Sequence, residues 1–329
     1  MTGTTSPIEA ARRLAAIYGH RLDLPVVYTQ GVGISGRLRL HALDQSSPDP
    51  APQISELVAP HVASPESMSG ENGGTANFAG VCWADELSDA TGDQTYSRML
   101  VDVANRFEVP TASEPIRPPL DRDIRVEDFF FAGTLLGRAY RLTGQAKYVD
   151  ILASLLMTAD TQQPGGLWWH CRASPFLWGR GNAFAAMGFA ETLTYLPTEH
   201  PHREDLLARH VAHLEGLESH QDSSGMWRQV IDRPDSYLEH SATSMIGYSL
   251  ARGLRMGWLG DEWRAVAEKA WDGISERIGP AGELEHVCVG TGPQPDIQSY
   301  LERSYSDGLD DRGGSMALWF AVEMAALQG

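Results

Sequence analysis

Trp178-Gly179-Arg180-Gly181-Asn182-Ala183-Phe184 gathers two aromatics, one guanidinium, one carboxamide and two glycines into seven residues. The glycines let the backbone turn tightly and approach a ligand. Arg180 offers a planar fork of donors suited to a carboxylate. Trp178 and Phe184 supply flat apolar faces of the kind that stack on sugar rings. A capped helix start, with Asn182 as N-cap and the aromatics as core, accounts for the same residues. Asp128, within Val126-Glu127-Asp128-Phe129-Phe130-Phe131, reads either as an N-cap carboxylate or as a general acid. A helix end would lower its pKa, whereas the aromatic run and Glu127 would raise it; acid catalysis needs the second effect to win.

Two histidines join these candidates. His170 follows Leu167-Trp168-Trp169 and could bond a sugar hydroxyl, assist proton transfer, or have no task at all. His240 opens an apolar segment behind Asp235-Ser236-Tyr237-Leu238-Glu239, where Tyr237 reads as a packing residue. His200, His202, His210, His213 and His220 crowd one amphipathic stretch and read as a solvated face. Cys171 beside His170 and Cys288 near His286 lack CxxC or HExxH spacing, so neither a metal site nor any other cofactor is expected. No Walker loop, Rossmann fingerprint or GxSxG elbow is present.

The elements that would position these groups are helices of two alternating kinds. Amphipathic segments lie at 8–18, 53–62, 94–107, 147–159, 203–218 and 262–277. Segments rich in Ala, Gly, Met and aromatics, with few charges, lie at 30–43, 77–87, 128–142, 182–196, 241–254 and 312–327. The latter are apolar on all sides and belong inside; the former cover them. Connections recur too. Thr91-Gly92-Asp93-Gln94-Thr95-Tyr96 is echoed by Thr143-Gly144-Gln145-Ala146-Lys147-Tyr148, and Gly165-Gly166-Leu167-Trp168 by Ser224-Gly225-Met226-Trp227. Repeats of about 50 residues imply stacked helix pairs.

Six inner and six outer helices predict an all-α (α/α)6 toroid, one domain over residues 1–329. An open solenoid would leave a concave face solvated, which apolar inner helices disfavour. In a closed ring the inner helices start at one mouth, near Gln30, Asn77, Asp128, Asn182, Ser241 and Asp311. Gathered helix N-termini favour an anion there.

With 26 basic against 43 acidic residues, the net charge of −17 argues against nucleic acid and anionic membranes as partners. Only Lys147 and Lys269 are lysines, so arginine is the default cation and Arg180 must be judged by its neighbours. No signal-peptide pattern is visible, and three scattered cysteines fit a reduced cytoplasm. A monomer or homodimer is expected.

Together these segments resemble the unsaturated rhamnogalacturonyl hydrolases and the related unsaturated glucuronyl hydrolases. Val126–Phe131 with Leu142–Tyr148 is similar to the family's catalytic-aspartate helix and its turn. Trp178–Phe184 resembles the WxRGNGW signature, with Ala183 and Phe184 replacing its last Gly and Trp. Gly225–Val230, Asp235–Thr243, Gly290-Thr291-Gly292 and Tyr300-Leu301-Glu302-Arg303 fit later stretches. The resemblance implies an (α/α)6 barrel and an unusual hydrolysis. Asp128 would protonate C4 of the C4=C5 bond that lyases leave in a terminal uronic acid, then activate the water adding at C5. The substrate would be an oligosaccharide ending in that unsaturated uronic acid. Trp178, Arg180, Asn182 and Phe184 would line the sugar site, with His170 and His240 beside it. Asn77 would stand, uncharged, where the family carries a second aspartate. A two-carboxylate glycosidase, with Asp310, Asp311 or Glu239 as base, and a non-catalytic carbohydrate-binding protein are the alternatives.

Overall fold

Five of the six segments expected inside each form one largely buried helix, and every amphipathic segment forms a helix outside them. The computed structural model describes residues 5–64, 66, 70 and 73–329, so Glu71 and Asn72 of the stretch before Asn77 lie outside the described residues. The outer helices are Pro7–Ala15, Ala51–Ala63, Gln94–Ala104, Lys147–Thr158, Arg203–Glu218 and Arg264–Ser275. The inner ones, first to sixth, are Tyr28–Leu43, the Thr75–Thr91 segment, Glu127–Thr143, Gly179–Tyr195, His240–Met256 and Asp311–Gln328. The sixth inner helix packs on both the fifth and the first, which closes an (α/α)6 ring. None of the described helices is long and apolar enough to cross a membrane.

The repeat is visible in backbone detail. Gly166 and Gly225 both adopt positive φ, +85° and +88°. A Cβ on either would stand 1.9 Å from a carbonyl oxygen of the next outer helix, Ala212 or Lys269. Gln162 and Gln221 then make matching bonds, to Gly166 and Arg209 carbonyls and to Gly225 and Val266 carbonyls. Inner helices also touch closely: a Cβ on Gly188 would meet the Phe129 backbone at 2.4 Å, so only glycine serves there.

Four expectations change. The second inner element is not one helix but Thr75–Phe78, a tight turn at Ala79–Val81, and Ala84–Thr91. The Gly80 carbonyl turns to the Trp83 indole N–H at 2.9 Å, which the tighter winding permits. A two-stranded antiparallel sheet, Leu284–Cys288 with Tyr305–Gly308, lies between the last outer and last inner helices. The histidine-rich outer helix is not simply a solvated face. His210 stacks on Phe189 with ring centroids 5.5 Å apart, and His213 reaches Asn182 at 3.3 Å; both are buried.

The fourth concerns the inner helices, which are not wholly apolar. At the end away from the first turns the inner helices carry charges that pair around the ring, among them Arg39, Glu86, Arg138, Glu191, Arg252 and Glu323, with Asp85 beside Glu86. Arg39–Glu86 is 2.7 Å, Arg138–Glu86 3.1 Å, Arg138–Glu191 2.9 Å and Arg252–Glu323 2.9 Å. Buried charges persist only when paired in this way. Burial works to raise the Glu191 pKa, but Arg138, Arg252 and Arg39 prevail and hold it near 2.

Candidate active site

Asp128 lies in the second position of the third inner helix, so it is not the N-cap; Val126 is. Its oxygens turn instead to other elements. Oδ1 accepts from Thr75 Oγ1 at 2.5 Å and Oδ2 from the Asp121 N–H at 2.7 Å. The residue is 4% exposed. Burial raises its pKa, and the Glu127 charge adds to this; the bonds from Thr75 and Asp121 and the charge of Arg125 oppose. The outcome is about 6, against an ordinary 3.8. Burial therefore wins the contest left open by the sequence, and a carboxyl with this value can give up or take a proton near neutral pH.

His170 arrives on the loop before the fourth inner helix, where its carbonyl accepts from the Val126 N–H. Its Nε2 is 3.0 Å from Glu127 Oε1 and its Nδ1 2.5 Å from the Tyr300 hydroxyl. Tyr300 in turn bonds Ser174 at 2.7 Å. Both ring nitrogens are thus occupied by protein, and the imidazole is wholly buried. It holds the mouth together rather than offering a free nitrogen to a sugar. Its face packs on Trp178, with centroids 4.6 Å apart.

The Trp178–Phe184 segment does start the fourth inner helix, but Trp178 is the N-cap and Gly179 the first helical residue. Arg180 donates through Nε to Ser241 Oγ at 2.7 Å and through Nη2 to the Cys288 carbonyl. Glu239 Oε1 is 3.7 Å away. A Cβ on Gly290 would lie 3.7 Å from Arg180 Nη1 and 3.9 Å from Arg312 Nη1. Arg180 is 2% exposed, and its Nη1 makes no hydrogen bond among the described residues. Phe184 packs against Phe131 and Tyr28, at 5.3 and 5.5 Å between ring centroids.

Three expected contacts turn away from this mouth. Asn182 is fully buried; its Oδ1 accepts from the Trp168 N–H at 2.8 Å and its Nδ2 donates to the Trp168 and Trp178 carbonyls. Its side chain latches a loop and meets His213 of the outer helix, four residues too late for an N-cap. Asn77 spends its side chain on the Gly74 N–H and the Val26 carbonyl, and Thr75 is the residue of that segment facing Asp128. His240 is buried with neither ring nitrogen partnered. Burial, helped by Arg277, lowers its pKa to about 3. Ser241, next in the helix, reaches Arg180 instead. Gln30 also leaves the mouth, paired with Asp23.

The alternative bases are hydrogen-bonded within the protein, as Asp128 is. Glu239 caps the fifth inner helix, accepting from the N–H groups of Ser241, Ala242 and Cys288. Asp310 caps the sixth and holds Arg312; Asp311 pairs with Arg21. Among the described residues no group of three or more His, Cys, Asp or Glu could hold a metal ion.

Sequence reasoning missed Tyr28, Thr75 and Arg312. Tyr28 is half-buried and its hydroxyl makes no hydrogen bond among the described residues. Burial raises its pKa to about 12, with Arg180 and Arg312 opposing and Glu127 and Glu239 adding. Tyr28 lies two residues before the predicted start of its helix, where apolar periodicity carries no signal.

Comparison with known proteins identifies the family and the fold. The family model described as Glycosyl Hydrolase Family 88 matches residues 125–328. The unsaturated rhamnogalacturonyl hydrolase YesR of Bacillus subtilis (strain 168) is 28% identical over 151 residues, which are 46% of this chain and 42% of that protein. The match thus spans less than half of that relative's length. A solved structure of a possible GH105 member from Salmonella enterica superposes with a TM-score of 0.81 at 20% identity, covering 99% of this chain and 96% of that one. The unsaturated glucuronyl hydrolase of Bacillus sp. GL1 superposes at 0.67 with 14% identity, covering 95% and 93%. These likenesses bear on the fold, and the profile across the third to sixth inner helices bears on ancestry: the chain belongs to glycosyl hydrolase family 88.

Proposed function

We propose that this protein hydrolyses oligosaccharides that end in an unsaturated uronic acid, by hydrating the C4=C5 double bond. The observation that carries the reading is the buried carboxyl of Asp128, raised to about 6, in the first turn of an inner helix packed against the one whose first turn holds Arg180. The Asp128 proton passes to C4 while the double-bond electron pair forms the new C–H bond. The cation left at C5 is shared with the ring oxygen. Asp128, now a carboxylate, takes a proton from the water that adds at C5. The resulting hemiketal opens and releases the neighbouring sugar. One carboxyl serves both steps, unlike the paired carboxylates of most glycosidases.

Arg180 Nη1 is the donor for the uronate carboxylate, and the Tyr28–Phe131–Phe184 aromatics are the apolar wall. Burial makes each such charged hydrogen bond worth more than in water. What YesR is named for supports the substrate class. The reading places the protein, one domain and a monomer or homodimer, in the cytoplasm, in keeping with free, buried Cys82, Cys171 and Cys288.

Lyase-treated pectin or glycosaminoglycan supplies the test. Incubation with the protein is expected to abolish the ultraviolet absorbance of the conjugated double bond as sugar is released. Sugar release with the absorbance intact would indicate ordinary glycoside hydrolysis instead, and binding without either change a non-catalytic protein.

A further inference from the structure

Arg180 is tied to the small sheet. The Cys288 carbonyl that accepts from its Nη2 closes the first strand, and the next carbonyl, of Val289, accepts from Arg312. A segment that joins an outer helix to the next inner one ends where an inner helix starts, so the sheet stands at the mouth end of the ring. Cys288 pairs across the sheet with Tyr305, which is 44% exposed and so holds an aromatic face in water.

Two rings flank that face. The His286 imidazole lies 4.2 Å from the Tyr305 ring between centroids, and the Tyr237 ring, from the loop before the fifth inner helix, lies 5.1 Å away. Tyr237 is near enough to Arg180 for each to bear on the other's charge. The sheet is deformed to build this group. Its pairing shifts between Leu284 and Val287, and His286 within the shift takes a φ of +55°, a left-handed conformation unfavourable for a residue with a Cβ. Asp307 Oδ1 fixes it by accepting from the His286 N–H at 2.7 Å. Irregularities of this kind re-aim a side chain, here toward Tyr305. Strain that turns one ring toward another still in water gains little core burial; it preforms a surface for a ligand.

We propose that Tyr305, braced by His286 and Tyr237, is the platform on which an uncharged sugar next to the unsaturated uronic acid stacks. This rests on the proposed hydration and adds to it a subsite for the part of the substrate that is released. The C–H face of a pyranose matches a flat aromatic ring, a contact that discriminates by shape. Charge narrows the choice further. Glu285, before His286, and Asp307, bonded to it, are exposed carboxylates, and Arg303, two residues before Tyr305, turns to the Gly290 carbonyl. An acidic neighbouring sugar would meet like charge there.

The test follows double-bond loss in three substrates: the methyl glycoside of the unsaturated uronic acid, a disaccharide with an uncharged neighbouring sugar, and one whose neighbour is sulfated. Wild type is expected to show its lowest KM for the uncharged disaccharide. Tyr305→Ala should raise that KM about three- to tenfold relative to the methyl glycoside, the scale of one aromatic contact, with kcat falling far less. Tyr305→Phe should restore it. His286→Gly, which suits a φ of +55°, should raise it in the same direction without lowering the melting temperature. Equal changes for the methyl glycoside and the uncharged disaccharide, or none for either, would overturn the proposal, as would a lower KM for the sulfated disaccharide. Calorimetric titration of the uncharged disaccharide separates this idea from the assigned reaction. If wild type binds it without consuming the double bond, and Tyr305→Ala binds it more weakly, the reaction is wrong and the platform stands. Equal binding by the two proteins, or none by wild type, ends the platform.

Discussion

Thr75 donates to Asp128 across the gap between the second and third inner helices, with 2.5 Å between the oxygens. The hydroxyl favours the ionised carboxyl and so opposes the upward pull of burial. Thr75→Val should raise the Asp128 pKa further and carry the alkaline limb of the rate profile upward by about one pH unit. An unshifted limb would mean that this hydroxyl has no hold on the acid.

Asp128→Asn is expected to lower turnover by at least about a hundredfold, the scale of a lost general acid. The same change should stabilise the fold at neutral pH. A carboxyl whose folded pKa is raised contributes stability that is fully present below its ordinary 3.8 and lost as pH rises through about 6. The difference corresponds to about 3 kcal/mol. Thermal melts at pH 4 and pH 7.5 check it: the wild type should lose stability between them, and the Asn variant should lose less.

Arg180→Ala should raise KM for an acidic sugar by roughly ten- to a hundredfold, the range of a charged hydrogen bond. A neutral analogue should suffer far less. Equal losses would rule out the carboxylate contact.

Asn182 and Thr243 perform the same task in successive hairpins, each side chain accepting the backbone N–H of a loop tryptophan, Trp168 at 2.8 Å and Trp227 at 3.0 Å. Asn182→Ala is expected to lower stability by about 1–3 kcal/mol in urea melts. Because the side chain serves a structural latch, the KM of whatever folds should stay near wild type. A large KM change with normal stability would return Asn182 to the sugar site.

Arg138 pairs with Asp85, Glu86 and Glu191 and has no exposed surface. Arg138→Met leaves those carboxylates without their shared cation and should cost about 3–5 kcal/mol. Equilibrium unfolding near pH 7 measures it, and the loss should shrink at pH 4 as the acids protonate. A cost that does not change with pH would point to packing instead.

Much of this was legible in the order of residues. Apolar periodicity and the repeated glycine turns determined the helical hairpins, their number and their alternation, because a buried helix and a covering helix need different compositions. Those constraints also predicted one mouth for the inner-helix starts, where the structure packs His170 on Trp178 and Trp178 near Phe184. The facing of individual side chains was not legible. Whether His240 or Ser241 meets Arg180, or Asn77 or Thr75 meets Asp128, depends on the rotation of a helix about its axis, set by neighbours far away in sequence. The bonds of His170 to Glu127 and Tyr300 cross 43 and 130 residues, and the paired charges at the far ends of the inner helices sit in segments whose local composition reads as core. Only packing brings such partners together, because a polar group's cost inside a protein is decided by what lies opposite it and not by what precedes it in the chain.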